Sequence, residues 1–340
     1  MGVKILAIET SCDETAAAVV EDGFVIRSNI ISSQIDVHQK FGGVVPEVAS
    51  RKHLELINGV IAAALDKAGL CFADLDAVGV TYGPGLAGAL LVGVAAAKTV
   101  AYALNIPLVA VNHLEGHIYA NFLVAPVLPF PLVCLIVSGG HTDLVFIARH
   151  GSYRLVGSTR DDAAGEAFDK IARALDLGYP GGPAIEKLAQ NGDEEAVPFP
   201  RAYLEEGTFD FSFSGLKTAV VNYLRQAKER GVVINKADVA ASFQKAVVDV
   251  LVEKTILAAQ KYRAGAVLLA GGVAANARLR ALLQANAGRQ MLTIIYPPPV
   301  LCTDNAAMIG CAAYYKYLRG DFAPLTLNAF PGLKLGEEQY

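Results

Sequence analysis

The chain has 340 residues, of which 53% are hydrophobic and 18% charged. This composition allows one large core or two medium ones and excludes a disordered protein. The formal net charge of -4 provides no overall field that attracts nucleic acid, so an RNA partner would need a local basic surface or a second protein. The five cysteines are scattered and form no Cys-x-x-Cys pair, which favours a reducing cytoplasm over a disulfide framework or a zinc knuckle.

Two apolar stretches raise the question of a membrane span. Residues 83–97 are glycine-rich and end at Lys98, which is short of the ~20 residues that a spanning helix needs. Residues 119–140 contain three prolines and end in a Gly-Gly turn. Buried strands also form continuous apolar runs, so we predict no transmembrane helix. The N-terminus enters a strand at once, without the basic and apolar regions of a signal peptide.

Two hairpins of one design open the two halves of the chain. Residues 4–20 and 132–147 each contain an apolar β-rich run, a turn of small and polar residues, and a second β-rich run. This repetition predicts two similar lobes.

Helices and strands alternate after each hairpin. The first is followed by a helix at 53–68, a strand at 77–81, a small-residue helix through Tyr102 and a strand at 107–111. The second is followed by a helix at 163–175, a Gly/Pro break at 178–183, a loop or insertion at 191–208, a long helix at 238–262 and a strand at 266–270. The alternation predicts an α/β fold with sheets covered on both faces.

His113 and His117 have the spacing of a metal-binding pair. Residues at i and i+4 share one helix face, so both imidazoles can reach one ion, although two histidines on a solvated face have the same spacing. In a metalloprotease His-Glu-x-x-His motif the general base is the glutamate next to the first histidine, but Leu114 stands there. Glu115 lies about 200° around the helix from His113, so a metallopeptidase would lack its base.

Two glycine-containing turns are candidate anion sites. Residues 137–142 place Gly139 and Gly140 between two apolar strands, where backbone amides form either an anion-binding nest or an ordinary hairpin turn. Residues 269–278 run from a buried strand through two glycines into a helix, a pattern typical of nucleotide sites and also of tight connections.

Three further groups of polar residues could have either a structural role or a role in ligand binding. Asp162, Glu166, Asp169 and Lys170 recur at helical spacing, as on a solvated face with ion pairs. Lys217 is available to a phosphate or carboxylate. Asp304 follows three prolines at the start of a helix, where an aspartate is more often a cap than a ligand.

Five motifs together resemble one family. Residues 8–15, 113–117, 137–142, 270–276 and 302–305 are similar to those of the bacterial tRNA N6-adenosine threonylcarbamoyltransferases, formerly called glycoproteases. The resemblance covers nearly the whole chain. It implies the α/β fold of the actin-like ATPase superfamily, in which two duplicated ribonuclease H-like lobes with mixed sheets flanked by helices surround a central cleft. The expected lobes are residues 1–115, with a C-terminal helix at about 312–340 packing back on them, and residues 116–311.

The resemblance also implies a site. His113, His117 and Asp304 would hold one metal ion, iron(II) in most of the family and zinc in some members, which replaces the cap interpretation of Asp304. Asp13 and Glu14 are catalytic candidates, with Glu14 near the transferred group. Threonylcarbamoyl-adenylate, or ATP or ADP, would contact nine residues: Val137, Ser138, Gly139, Gly140, His141, Asp169, Gly182, Glu186 and Asn276. Some relatives have an aspartate at the place of Glu186.

The implied reaction moves a threonylcarbamoyl group from the adenylate to N6 of the adenosine 3′ of the anticodon, in tRNAs reading codons that begin with A, and releases AMP. The resemblance further implies a cytoplasmic heteromeric complex with an inactive paralogue and a small ATPase. Alternatives are a small-molecule kinase or ATPase of the same superfamily, a metallopeptidase, and a non-catalytic scaffold. Relatives that act as scaffolds usually lack the histidine pair.

Overall fold

The computed structural model describes residues 2–202 and 207–339, so part of the predicted loop at 191–208 lies outside the described residues. The chain forms two compact units. Unit 1 comprises Met1–Leu128, His150–Tyr153 and Tyr296–Tyr340, and unit 2 comprises Pro129–Arg149 and Arg154–Ile295.

The two predicted hairpins, and the helices and strands predicted to follow them, are all present together with further elements. The strands are β1 (Lys4–Glu9), β2 (Glu14–Glu21), β3 (Val25–Ser33), β4 (Ala77–Gly83), β5 (Leu108–Asn112), β6 (Leu132–Val137), β7 (Thr142–Arg149), β8 (Ser152–Ser158), β9 (Ala266–Ala270) and β10 (Thr293–Ile295). The helices are α1 (Ile35–His38), α2 (Pro46–Ala68), α3 (Ala87–Leu104), α4 (His113–Tyr119), α5 (Ala164–Ala174), α6 (Gly181–Ala189), α7 (Ser214–Glu229), α8 (Lys236–Lys261), α9 (Ala277–Gly288), α10 (Pro299–Cys302) and α11 (Ala306–Arg319).

The two sheets have the same topology. Their strand orders are β3-β2-β1-β4-β5 and β8-β7-β6-β9-β10. In the first sheet β1 pairs antiparallel with β2 and parallel with β4, and β4 pairs parallel with β5. In the second sheet β6 pairs antiparallel with β7 and parallel with β9, and β9 pairs parallel with β10. The predicted α/β fold with two mixed sheets and a repeated hairpin is therefore confirmed.

The units divide the chain at other places than the predicted lobes. The predicted boundary between residues 115 and 116 falls inside helix α4. Residues 116–128 and 296–311, which were predicted to belong to the second lobe, are part of unit 1. The last described helix is α11 rather than a helix at 312–340. Gly320, with φ of 74°, ends it in the left-handed conformation.

The sheet of unit 1 is covered on both faces. Successive side chains of a strand point to opposite faces. Leu6 and Ile8 of β1 belong to a buried cluster with α2 and α3, whereas Ala7 faces α11. A Cβ on Gly310 of α11 would lie 2.6 Å from Cγ2 of Val20, so the glycine permits close packing. Burial on both faces explains why these strands read as uninterrupted apolar runs.

One described helix, α3, is long and apolar enough to cross a membrane by length and composition alone. Its Ala89, Leu90, Val94 and Ala97 are buried in unit 1. The face of α3 that carries these residues is therefore part of the core.

Candidate functional site

Two segments of unit 1 bring the three predicted metal ligands together. Asn112 caps α4, which carries both histidines, by accepting a hydrogen bond from the amide of Leu114 (2.9 Å). Asp304 lies just before α11, and Asn305 caps that helix by accepting from the amide of Met308 (3.0 Å). The cap interpretation of Asp304 is therefore wrong, because its neighbour has that role.

Close packing of α4 on α11 fixes the position of the histidines. Gly116 faces α11, where a Cβ would lie 2.5 Å from Cδ1 of Ile309. A larger side chain would have to displace Ile309. The glycine between the two histidines thus keeps their helix against the element that follows Asp304.

The three side chains fit a metal ion. Oδ1 of Asp304 lies 3.1 Å from Nε2 of His117 and 3.5 Å from Nε2 of His113. One ligand atom from each residue lies within 4.8 Å of the others. Ligands about 2.0–2.2 Å from one ion at tetrahedral angles lie about 3.3–3.6 Å apart, in agreement with this cluster.

His117 provides an independent test of that fit. Its side chain is 1% exposed, and neither ring nitrogen makes a hydrogen bond within the described residues. The approach of Nε2 to Asp304 is short, but its direction is not that of a hydrogen bond. A buried polar atom without a partner is costly. Coordination would satisfy it, and a nitrogen and oxygen ligand set suits iron(II) or zinc.

Glu9 lies behind His113 and was not predicted. Its Oε2 is 3.1 Å from Nδ1 of His113, and Oγ of Ser11 is also 3.1 Å from that nitrogen. The Glu9 carboxylate, which is fully buried, also accepts hydrogen bonds from the Ser11 amide and the Thr81 hydroxyl. The available signal in the sequence was an acidic residue at the end of the apolar strand β1.

The pKa of His113 makes the stability of the metal-free protein depend on pH. Burial lowers this pKa, but the charges of Asp304 and Glu9 and the hydrogen bond to Glu9 raise it to about 9. A raised histidine pKa stabilises the metal-free fold below the ordinary value of 6.5, and this stabilisation is lost as pH rises through about 9.

We therefore expect metal uptake to release a proton from His113. Zinc affinity of the metal-free protein should rise about tenfold per pH unit below the raised pKa and level off above it. Chelator competition from pH 6.5 to 9.5, with calorimetry in two buffers of different ionisation enthalpy, measures both the affinity and the protons released. An affinity independent of pH across this range contradicts the expectation.

The first hairpin turn places the two catalytic candidates near Asp304. The Glu14 carboxyl accepts a hydrogen bond from the Ser33 hydroxyl (3.2 Å). Burial, together with the charges of Asp304 and Asp13, raises the pKa of Glu14 to about 10. Asp13 is 8% exposed. Glu14 thus belongs to the surroundings of the metal ligands, and Asp13 adjoins it in the same turn.

A buried histidine that was not predicted supports this turn. Nε2 of His53 lies 2.9 Å from the carbonyl oxygen of Cys12, and Nδ1 lies 2.8 Å from Oγ1 of Thr15. Since a carbonyl only accepts hydrogen bonds, Nε2 carries the proton and Nδ1 accepts from the hydroxyl. Burial lowers the pKa of His53, consistent with a neutral ring.

In unit 2, residues 138–141 form a tight turn between β6 and β7. The Ser138 amide donates to the carbonyl of His141 (2.9 Å), and the His141 amide donates to Oγ of Ser138 (3.2 Å). No acceptor in the described part of the chain takes the amide hydrogens of Gly139 and Gly140. A Cβ on either glycine would meet nothing within 4 Å. The turn thus has the free donors and open space of an anion site.

The nine predicted substrate residues belong to segments of unit 2 that contact one another in sequence until the last contacts the first. We call these segments the contact ring. It comprises the end of β6 with the turn at 138–141, then α5, α6, the start of α9, and residues 271–276. The Gly165 amide of α5 donates to the carbonyl of Ser138 (3.2 Å), and the Gly181 amide of α6 donates to Oδ1 of Asp169 (2.7 Å).

Two contacts close the contact ring. The Ala277 amide of α9 donates to Oε1 of Glu186 (2.7 Å). A Cβ on Gly271, which has φ of 87°, would lie 2.4 Å from the carbonyl oxygen of Val137. Asn276 caps α9 by accepting from the Leu279 amide (3.0 Å) and donates to Oε1 of Gln244 (2.8 Å). A cavity of about 190 Å³ adjoins the ring and is lined in part by Glu186, Gln244 and Ala277.

Several ring residues were not predicted as site residues. Gly165, Gly181 and Gly271 permit backbone approaches that a Cβ would block, at 2.4–2.5 Å from the nearest atom. Lys217, considered for a phosphate, is paired with Asp162, which also binds Lys170. The carboxylate of Asp162 therefore pairs with both lysines.

The comparisons with known proteins agree with these features. The sequence profile of the TsaD family, described as tRNA N6-adenosine threonylcarbamoyltransferase, matches residues 25–311. A protein of that name from Moorella thermoacetica is 65% identical over 332 residues, covering 98% of this chain and 97% of the relative.

Two solved structures are similar in fold. Component A of (R)-2-hydroxyglutaryl-CoA dehydratase from Acidaminococcus fermentans has a TM-score of 0.54 at 15% identity, covering 93% of this chain and 99% of the other. HypF from T. kodakarensis has a TM-score of 0.64 at 15% identity, covering 94% of this chain and 50% of the other. These likenesses show the actin-like ATPase fold. Because the family profile and the relative cover most or nearly all of the sequence, the chain belongs to the tRNA N6-adenosine threonylcarbamoyltransferase family.

Proposed function

We propose that this transferase takes the threonylcarbamoyl group from threonylcarbamoyl-adenylate, transfers it to N6 of the adenosine 3′ of the anticodon, and releases AMP. The tRNAs are those that read codons beginning with A. The observation that carries the proposal is the His113–His117–Asp304 cluster in a chain of this family. Kinase chemistry of the same fold does not account for such a cluster.

The residues of unit 2 are assigned to the adenylate. The amides of Gly139 and Gly140 would donate hydrogen bonds to its phosphate, where negative charge grows as AMP leaves. Val137, Ser138 and His141 hold that turn in place. Among the other residues of the contact ring, Asp169, Gly182, Glu186 and Asn276 are assigned to the nucleoside, and ATP or ADP would occupy the same residues.

The residues of unit 1 are assigned to the metal and the transferred group. His113, His117 and Asp304 would hold iron(II), with zinc as the alternative. When bound, the ion supplies a Lewis acid for a carbonyl or phosphate oxygen. Glu14 and Asp13 orient the threonylcarbamoyl group. Burial raises the pKa of Glu14, which supports a protonated carboxyl that donates a hydrogen bond to the carbonyl.

Further parts of the proposal concern partners and organisation. The formal net charge of -4 gives little attraction for tRNA, which supports binding together with a paralogue and a small ATPase in a heteromeric cytoplasmic complex. We also retain the two lobes as functional domains, with the observed units replacing the predicted bounds.

An assay with purified components tests the reaction. The protein, threonylcarbamoyl-adenylate, an unmodified tRNA transcript and the partner proteins should yield one threonylcarbamoyladenosine for each AMP, measured by nucleoside mass spectrometry. The Moorella relative run in parallel is the positive control. Failure of this chain where the relative succeeds refutes the proposed reaction.

Gly140→Ala tests the phosphate assignment. Since a Cβ at this position meets nothing within 4 Å, we expect the free energy of unfolding to change by less than about 0.5 kcal/mol. A methyl group in the path of a phosphate should weaken binding of a non-hydrolysable adenylate analogue about tenfold, or about 1.4 kcal/mol. Calorimetric titration measures this change.

Gly288→Ala is the matched control. Gly288 is exposed in α9 of the same unit, and a Cβ there also meets nothing within 4 Å. This variant should bind the analogue as the wild type does. Equal affinity in Gly140→Ala would place the phosphate elsewhere.

A further inference from the structure

We propose that Glu9 is a positioning residue that keeps the proton of His113 on Nδ1 and so presents Nε2 to the metal. The inference rests on the metal centre of the proposed function. It assigns to the protein, rather than to the ion, the choice of which ring nitrogen coordinates.

Hydrogen-bond chemistry fixes the tautomer. Nδ1 of His113 has Oε2 of Glu9 and Oγ of Ser11 at 3.1 Å each. An ionised carboxylate only accepts hydrogen bonds, so the ring nitrogen facing it must be the donor. The lone pair of a neutral ring then lies on Nε2, the atom 3.5 Å from Asp304. Carboxylate partners of this kind orient histidine ligands and increase their basicity.

The surroundings of Glu9 favour its ionised form. The fully buried carboxylate receives hydrogen bonds from the Ser11 amide on one oxygen and from the Thr81 hydroxyl on the other. Neither donor depends on the tautomer of His113, and hydrogen bonds of this type to a charged carboxylate are strong. The pairing of β1 with β4, in which Ile8 lies opposite Val80, places Glu9, the last residue of β1, beside Thr81 of β4.

The same carboxylate connects the ligand to the catalytic turn. Ser11 begins the turn that contains Asp13 and Glu14, and its carbonyl accepts from the Leu86 amide (2.8 Å). A shift of Glu9 would therefore move His113 and Ser11 together. His117 differs, since neither of its ring nitrogens makes a hydrogen bond in the described residues. His113 is thus the ligand whose orientation the protein sets in advance.

Glu9→Gln tests the proposal by metal affinity. Glutamine has the shape of glutamate, but its amide group donates hydrogen bonds and removes the negative charge that holds the proton on Nδ1. We expect the zinc dissociation constant to increase about 10- to 100-fold. Glu21→Gln is the matched control because it makes the same change in the same sheet, at a carboxylate that pairs with Arg27 and lies opposite Lys4 at the other end of β1, and its dissociation constant should stay within about threefold of wild type. Thermal unfolding of the metal-free proteins gives the stability of each variant.

Nitrogen-15 NMR of the histidine-labelled, zinc-loaded wild type gives a second test that needs no variant. We expect a slowly exchanging proton on Nδ1 of His113 and the metal on Nε2. A proton on Nε2, or equal zinc affinity in the wild type and Glu9→Gln, overturns the positioning role while the metal centre stands. A wild type that takes up no metal refutes the metal centre, and the positioning role with it.

Discussion

Asp304→Asn is expected to remove tightly bound metal from the protein. The carboxylate is the only anionic member of the cluster that the structure identifies among the described residues, and asparagine keeps its shape while removing the charge. Loss of a residue that only hydrogen-bonds to a metal ligand typically costs 10- to 100-fold in affinity, so loss of this ligand should cost more than about a hundredfold. Metal analysis after purification and chelator competition measure the effect.

A parallel loss of transfer activity should accompany the loss of metal. Asp321→Asn is the control, because Asp321 also lies in unit 1, beyond the opposite end of α11 from Asp304, and pairs with Arg319 near the surface. This control should retain full metal content and activity. If Asp304→Asn retains its metal at wild-type affinity, the assignment of Asp304 as a ligand is wrong.

Lys316→Met is expected to destabilise unit 1 by about 3–5 kcal/mol, because it leaves a buried glutamate without its cation. Nζ of Lys316 lies 4.0 Å from Glu115 and 3.0 Å from Glu338. Glu115 is 4% exposed and also accepts a hydrogen bond from the Tyr153 hydroxyl (2.7 Å). Burial raises the pKa of Glu115, and Lys316 opposes that effect.

Urea unfolding at pH 7 measures this destabilisation. Lys52→Met is the matched control, since Lys52 pairs with Glu55 on the surface of α2 with both side chains more than a third exposed. A surface pair of this kind is worth about 0–1 kcal/mol. Combining Lys316→Met with Glu115→Gln should recover part of the loss, because the unpaired charge is then absent. Equal stability of Lys316→Met and the wild type would contradict this account.

The central parts of the fold were predictable because their signals are local. The two hairpins appeared as paired β-rich runs, and burial on both faces produced those runs. The outer strands β3 and β8 were not predicted, since their residues are only partly buried and mix polar with apolar side chains. Helix α2 was predicted to start at residue 53, whereas Pro46 begins it at a position that favours proline.

The site was predictable only in part. Residue frequencies assigned Asp304 to a helix cap, and the resemblance to a family corrected this. The structure gives the reason: Asn305 is the cap. Glu9 and Gly271 contact residues that are distant in sequence, His113 and Val137 respectively. No local sequence pattern predicts such contacts. Such long-range approaches depend on the completed fold.

The order of synthesis constrains when the metal centre can form. Unit 2 lies in the chain between Leu128 and Tyr296, apart from the short segment His150–Tyr153 of unit 1. On the ribosome, the residues of unit 2 therefore emerge after the histidines and before Asp304. Since domains generally fold as units during synthesis, unit 2 can fold while unit 1 still lacks α11. The complete ligand set becomes available only once the chain has been made through Asp304, so metal loading follows translation of all of unit 2.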